Sequence, residues 1–201
     1  MYIIGITGGS GAGKSSALRA LKSLGALTLD CDAIYHKLLA ENVELRVELE
    51  ARFNGVLSCG EIDRKRLGSI VFSDPSALLD LNAITHKYVS DSIAESIADW
   101  EAKGGKVVAI DAIALIESGR ADRCDVVIGV AAPRETRILR IINRDKITRE
   151  QAELRISAQK PDSFFRESCD YMLEAVYSTP QAFEENCKHF FRGLIGGLID
   201  A

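Results

Sequence analysis

Gly8-Gly9-Ser10-Gly11-Ala12-Gly13-Lys14-Ser15 fills every fixed position of G-x-x-x-x-G-K-[ST]. The run before it, Tyr2 to Thr7, is short and apolar and reads as a buried strand entering a tight turn. After it, Leu18, Leu21 and Leu24 recur at helical spacing and Gly25 closes the segment. Strand, glycine turn and helix together are the context a phosphate-binding loop requires. Glycines let the backbone curl so that successive N–H groups converge on an anion, and the helix N-terminus adds partial positive charge. On this reading Gly9, Ser10, Gly11, Ala12, Gly13, Lys14, Ser15 and Ser16 cradle ATP. Lys14 reaches the β- and γ-phosphates, and the Ser15 hydroxyl is a ligand for Mg2+.

Outward from the loop, strands alternate with helices. Ala26–Leu29 reads as a second strand ending on Asp30, and residues 32–53 as one long helix. Residues 54–63 read as a loop and Arg64–Phe72 as a short helix. Asp74-Pro75 is an N-cap and first-turn proline for a helix that runs to Lys103, before Gly104-Gly105. Lys106–Asp111 and Asp125–Val130 are further strands. Ala132-Pro133 opens a helix to about Arg144, and Thr148 with Gln151 has capping-box spacing for the next. Met172–Val176 reads as a last short strand and Thr179-Pro180 as the start of a last helix. The strands are continuous apolar runs, which implies an α/β fold with a parallel sheet covered on both faces.

Phosphoryl transfer needs a group that aims the acceptor and positive charge on the transferring phosphoryl. Asp30-Cys31-Asp32 lies just past the second strand, and strand C-termini form the ligand crevice of a parallel sheet. One of these carboxylates can hold an alcohol proton while the other caps the following helix. Asp111 ends the strand KVVAID, where a carboxylate would hold magnesium; Glu117 is a second candidate for that task, and a simple strand-end turn is the alternative for Asp111. Arg137, Arg140 and Arg144 share one helix face, followed by Arg149 and Arg155. Such spacing suits a solvated basic face or, late in a P-loop chain, a lid over phosphates.

Composition narrows the remaining classes. The 201 residues suit one domain of ordinary size, and about half are hydrophobic. A net charge of −4 without a basic run gives no footprint for nucleic acid and no polybasic segment for a membrane surface. The longest apolar run, residues 107–116, is too short to span a bilayer. The N-terminus lacks the basic n-region and long apolar stretch of a signal peptide. Cys31, Cys59, Cys124, Cys169 and Cys187 include no C-x-x-C pair, which points to reduced thiols in a cytoplasmic protein rather than a zinc site. Oligomeric state is left open.

Several segments in order resemble the dephospho-CoA kinases: ITGGSGAGKS, LDCDAIYHKLL, DRKRLGSIVF followed by LNAITHKYV, and RETRILRIINRDKITREQAELRISAQ. The resemblance runs roughly from Ile3 to Gln159. It implies a three-layer P-loop NTPase fold of the nucleoside-monophosphate-kinase kind, as a single kinase domain over 1–201. Within it the resemblance implies a helical acceptor lobe over about 32–103 and a helical lid over about 137–160. It implies transfer of the ATP γ-phosphate to the ribose 3′-hydroxyl of dephospho-CoA, the last step of coenzyme A synthesis. By position it makes Lys14, Asp32 and Arg140 catalytic, with Asp32 the acceptor-orienting base. It makes Arg140 and Arg144 lid arginines on ATP, and places His36, Arg64 and His86 with Asp32 around the acceptor. The chain departs from the family at Ile113-Ala114-Leu115, where a proline-leucine-leucine stretch is usual, and at Lys87, where proline is usual. No N-x-G-like adenine segment stands out near Glu174 to Tyr177. A kinase of another small acceptor, or a nucleotide-binding switch protein, are the alternatives; an acceptor base and an arginine-rich lid favour the enzyme.

Overall fold

In a computed structural model the chain, described over residues 1–177 and 179–199, begins with β1 (Tyr2–Thr7) and α1 (Lys14–Ser23). It continues through β2 (Leu27–Asp30), α2 (Cys31–Glu41), α3 (Val43–Arg52), β3 (Leu57–Ser58), β4 (Glu61–Ile62), α4 (Arg64–Ser73) and α5 (Pro75–Ala102). The rest is β5 (Val107–Asp111), a 3-10 turn (Arg120–Arg123), β6 (Val126–Ala131), α6 (Arg134–Asp145), α7 (Arg149–Ser157), α8 (Asp162–Ser168), β7 (Tyr171–Glu174) and α9 (Pro180–Ile199). Two compact units result: Met1–Leu29 with Trp100–Ala201, and Asp30–Asp99.

The first unit is built on a five-stranded sheet in the order β2-β5-β1-β6-β7. β1 pairs in parallel with β5 on one side and β6 on the other, and β6 pairs in parallel with β7. Consecutive residues of β5 and β6 are buried, not alternate ones, so both faces of the sheet are covered. This confirms the parallel α/β fold expected from the apolar runs. On one face Ile4, Ile6 and Ile128 pack with Ala17 and Leu21 of α1 and with Phe183, Cys187, Phe191 and Ile195 of α9. Residues of α9 at spacings of four thus supply a continuous apolar stripe. Chain order reverses at β1, between β5 and β6, which places the ligand crevice at the end of β1.

The second unit has its own core of Leu39, Leu45, Leu49, Phe53, Val56, Ile62, Leu67, Val71 and Ala77. Two of its helices begin on carboxylates: Asp30 caps α2, and Asp63 caps α4 by accepting from the N–H groups of Lys65 and Arg66. Two expectations are corrected here. The helix expected across residues 32–53 is broken at Asn42, whose backbone is extended (φ −84°, ψ 110°). Its Oδ1 accepts from Leu45 N–H at 2.8 Å and starts α3 afresh. The apolar spacing runs through the break and conceals it. The loop expected at 54–63 contains the hairpin β3–β4, turned by Cys59 (φ 50°) and Gly60 (φ 83°). Two left-handed residues in succession suit a tight hairpin turn, but strands of two residues carry no periodic signal. α8 was not foreseen either.

The caps read from sequence hold elsewhere. Asp74 Oδ1 accepts from Ser76 N–H, and Thr148 and Gln151 form a full capping box. Thr179 Oγ1 accepts from Ala182 N–H at the start of α9. Among the described residues no helix is long and apolar enough to cross a membrane.

Candidate active site

The loop between β1 and α1 is a nest of backbone amides. Gly13 takes a left-handed conformation (φ 117°) and leads straight into α1. Lys14 folds back so that its Nζ donates to Gly8 O at 3.0 Å, arching over the loop. Ser16 is buried and its Oγ accepts from Arg19, whereas Ser15 is exposed on the first turn of α1. The N–H groups of Gly11, Gly13, Lys14 and Ser15 make no hydrogen bond among the described residues. Unpaired amides at a helix start are donors awaiting an anion.

The carbonyls of the same loop are taken up by α6. Arg137, only 4% exposed, donates through Nε to Ser10 O at 3.0 Å. Its two terminal nitrogens donate to Asp162 Oδ1 at 3.0 Å and Gln159 Oε1 at 3.1 Å. Arg140 donates to Gly11 O at 3.0 Å, Ala12 O at 3.1 Å and Ala175 O at 3.3 Å. Burial lowers the basicity of both guanidiniums, and Asp162 partly offsets this for Arg137. Both remain charged at any ordinary pH. Close packing explains two of the glycines: a Cβ on Gly9 would lie 2.0 Å from Arg137 Nη2, and one on Gly11 (φ +75°) 2.7 Å from Arg137 O.

The arginine face of α6 is therefore split. Arg137 and Arg140 grip the loop backbone, while Arg144 pairs with neighbouring Asp145 and is largely exposed. Ile138 and Ile141 are fully buried with Ala152 in a small core of the hairpin α6–α7. α7 is tied to both ends of α6, Arg149 pairing with Glu135 of its first turn as well as with Glu153, and Arg155 with Asp145 of its last.

Asp111 closes β5, half-buried, and the register sets it beside Ile6, two residues before Gly8. Glu117 is exposed in the turn that follows. The Cys124 and Cys169 thiols are pushed up by burial to about 11 and Cys187 to about 12, so they stay protonated.

In the second unit Asp30 Oδ1 accepts from the N–H groups of Asp32 and Ala33 at 2.9 and 3.0 Å. Asp30 is thus consumed as a helix cap, and Asp32 is exposed one position into α2. Asp32 and His36 are four residues apart and share a face of that helix. The His36 ring lies 5.5 Å from that of Tyr35, and its Nε2 is 3.4 Å from an Arg64 guanidinium nitrogen. The Tyr35 hydroxyl is made less acidic by burial, against the pull of Arg64. The structure thus brings Arg64 to His36, while His86 is half-buried on α5.

Residues 2–181 match the dephospho-CoA kinase family. The chain belongs to that family. Curated dephospho-CoA kinases from Geobacter sulfurreducens and Thermobifida fusca are 40% and 38% identical to it, over 80% and 87% of this chain and 83% and 87% of theirs. A dephospho-CoA kinase structure from Campylobacter jejuni superposes with a TM-score of 0.70 at 26% identity, covering 97% of this chain and 98% of that one. A shikimate kinase from Bacteroides thetaiotaomicron, at 14% identity and a TM-score of 0.58 over 97% and 98% of the two chains, shares the fold. Family membership and fold agree with the ordered motifs read from the sequence.

The sequence does not announce the tertiary roles of three residues around the loop. Spacing places Arg137 only on an arginine face, and its burial has no local signature. Asp162 starts a helix whose one cue is Pro161 before it. Gln159 closes the R-I-x-x-Q element that resembles the family's lid, but nothing in its neighbourhood announces two bonds to Ser10.

Proposed function

We propose that the chain transfers the γ-phosphate of ATP to the ribose 3′-hydroxyl of dephospho-CoA, releasing ADP and coenzyme A. The observation that carries this reading is family membership over residues 2–181 together with the unpaired amides of Gly11, Gly13, Lys14 and Ser15. In this reading Gly9–Ser16 hold the phosphates, and Lys14 leaves Gly8 O for the β- and γ-phosphates. The unit Asp30–Asp99 serves as the acceptor lobe, where Asp32 accepts the hydroxyl proton and aims the oxygen at phosphorus. His36, Arg64 and His86 bind the acceptor. The basic pair Arg64–His36 suits the anionic groups of that substrate. Arg140 supports ATP through the loop carbonyls, and Arg144 reaches ATP from the hairpin.

Mg2+ fits the residues present. The exposed Ser15 hydroxyl and the half-buried Asp111 carboxylate, on adjoining β1–α1 and β5, are hard oxygen donors of the kind magnesium takes beside substrate phosphates. Held by Ser15 and Asp111, such an ion would supply positive charge to offset the charge that develops on the phosphate oxygens. The chain acts on small molecules in the cytoplasm, without a membrane or nucleic-acid partner.

The test is ADP release with ATP, magnesium and a panel of acceptors: dephospho-CoA, nucleoside monophosphates and shikimate. Turnover with dephospho-CoA well above the others supports the reading. Faster turnover with another acceptor, or none with any, rejects it.

A further inference from the structure

In two peptide planes of the loop, Ser10–Gly11 and Ala12–Gly13, the two edges are put to different use. A trans peptide directs its C=O and N–H to opposite sides. Arg137 holds Ser10 O at 3.0 Å, which turns the next N–H, that of Gly11, away from α6. Arg140 holds Ala12 O at 3.1 Å, which does the same for Gly13 N–H. Those amides are among the unpaired donors of the nest. Ser10 itself is clamped on its other edge, its N–H donating to Gln159 Oε1 at 2.9 Å and its Oγ accepting from Gln159 Nε2 at 2.7 Å. Gln159 is in turn held by Arg137, and Arg137 by Asp162.

We infer that Arg137 is a positioning residue for phosphoryl transfer, setting the Ser10–Gly11 peptide so that the loop amide faces the phosphates, with Gln159 and Asp162 fixing the guanidinium. It touches neither ATP nor acceptor; it acts through the loop. A buried arginine with three partners in a fork is costly to desolvate, and a packing role alone would be met by an apolar side chain of similar length. Lysine cannot replace it, because one ammonium cannot span Ser10 O, Gln159 Oε1 and Asp162 Oδ1 in the plane of a guanidinium.

The inference rests on the kinase reading, and its test separates the two. Wild type, Arg137→Met, Arg137→Lys and Asp162→Asn are compared by thermal unfolding, calorimetric ATP binding, and kcat and KM for ATP and dephospho-CoA. Small displacements of a positioned group cost about 10²-fold in rate. The folded Arg137→Met variant is expected to lose about that much in kcat/KM for ATP, with KM for dephospho-CoA unchanged. Arg137→Lys is expected to remain close to Arg137→Met, and Asp162→Asn to fall between them and wild type. Wild-type ATP affinity and kcat in Arg137→Met, with only the unfolding temperature lowered, overturns the inference. If Arg137→Met does not fold, wild-type ATP parameters in both Arg137→Lys and Asp162→Asn overturn it. Calorimetric ATP binding needs no acceptor, so this arm decides the role of Arg137 whatever the acceptor proves to be.

Discussion

Gln159 holds Ser10 at two points, donating from Nε2 to the hydroxyl at 2.7 Å and accepting from the backbone N–H at 2.9 Å. A residue at the far end of the α6–α7 hairpin is thereby fastened to the second position of the P-loop's variable stretch. The base of the hairpin is thus part of the loop's support.

Movement on substrate binding is therefore expected at the hairpin's outer end. Ile138 and Ile141 are fully buried, and Arg137 and Arg140 are bound to the loop. In hydrogen exchange, amides of residues 137–142 should already be protected without ligand. Those of residues 146–156 should slow when ATP and an acceptor analogue are both bound. Uniform protection of the whole hairpin in both states would count against a lid there.

Lys14→Ala should abolish most turnover without unfolding the protein. Among the described residues its Nζ makes one bond, to Gly8 O. Loss of one charge-stabilising donor costs about 10²–10³-fold in kcat. Turnover near wild type in a folded variant would remove this loop from the mechanism.

Asp30 and Asp32 should separate into a structural and a chemical carboxylate. Asp30→Ala removes the cap of α2 and should cost about 1 kcal/mol of stability in denaturant unfolding. Asp32→Asn should leave stability and ATP binding in place and lower kcat by about 10²–10⁴-fold, the usual loss for a positioned general base. The opposite pattern, a dead Asp30→Asn and an active Asp32→Asn, would assign the base to the wrong residue.

Acid should loosen the hairpin end. Hydrogen bonds from Arg144 come first, with help from Arg155, in holding the Asp145 carboxyl at about 2, below its ordinary 3.8. A depressed carboxylate contributes stability above its unfolded pKa and loses it as pH falls through the folded value. The unfolding temperature of wild type should therefore drop more steeply between about pH 4 and pH 2 than that of Asp145→Asn. Parallel curves for the two proteins would show that the Arg144–Asp145–Arg155 cluster contributes nothing.

Much of the framework was legible because its causes are local. The P-loop, the caps at Asp74 and Thr148, and the apolar strands each depend on residues within a few positions of one another. Asn42 was misread because the hydrophobic spacing on either side stays helical, so a three-residue side-chain cap had to compete with a pattern of twenty. The hairpin at Leu57–Ile62 was missed because two-residue strands are too short to show alternation. Of the expected site, Asp32, His36 and Arg64 were placed together only by the family resemblance, and the approach of Arg64 to His36 has no signal in local spacing.

By itself, then, the sequence determined the family, the phosphate-loop motif, and a pair of carboxylates, Asp30 and Asp32, of which one caps α2; the structure gave that cap to Asp30. Each rests on backbone geometry that nearby side chains dictate. Only the tertiary structure decided that Arg137 and Arg140 spend their guanidiniums on loop carbonyls. Their partners at Ser10, Gly11 and Ala12 lie more than a hundred positions away along the chain. An arginine's spacing says which face of a helix it occupies, but burial and the direction of a distant carbonyl exist only once β6 has set α6 against the loop.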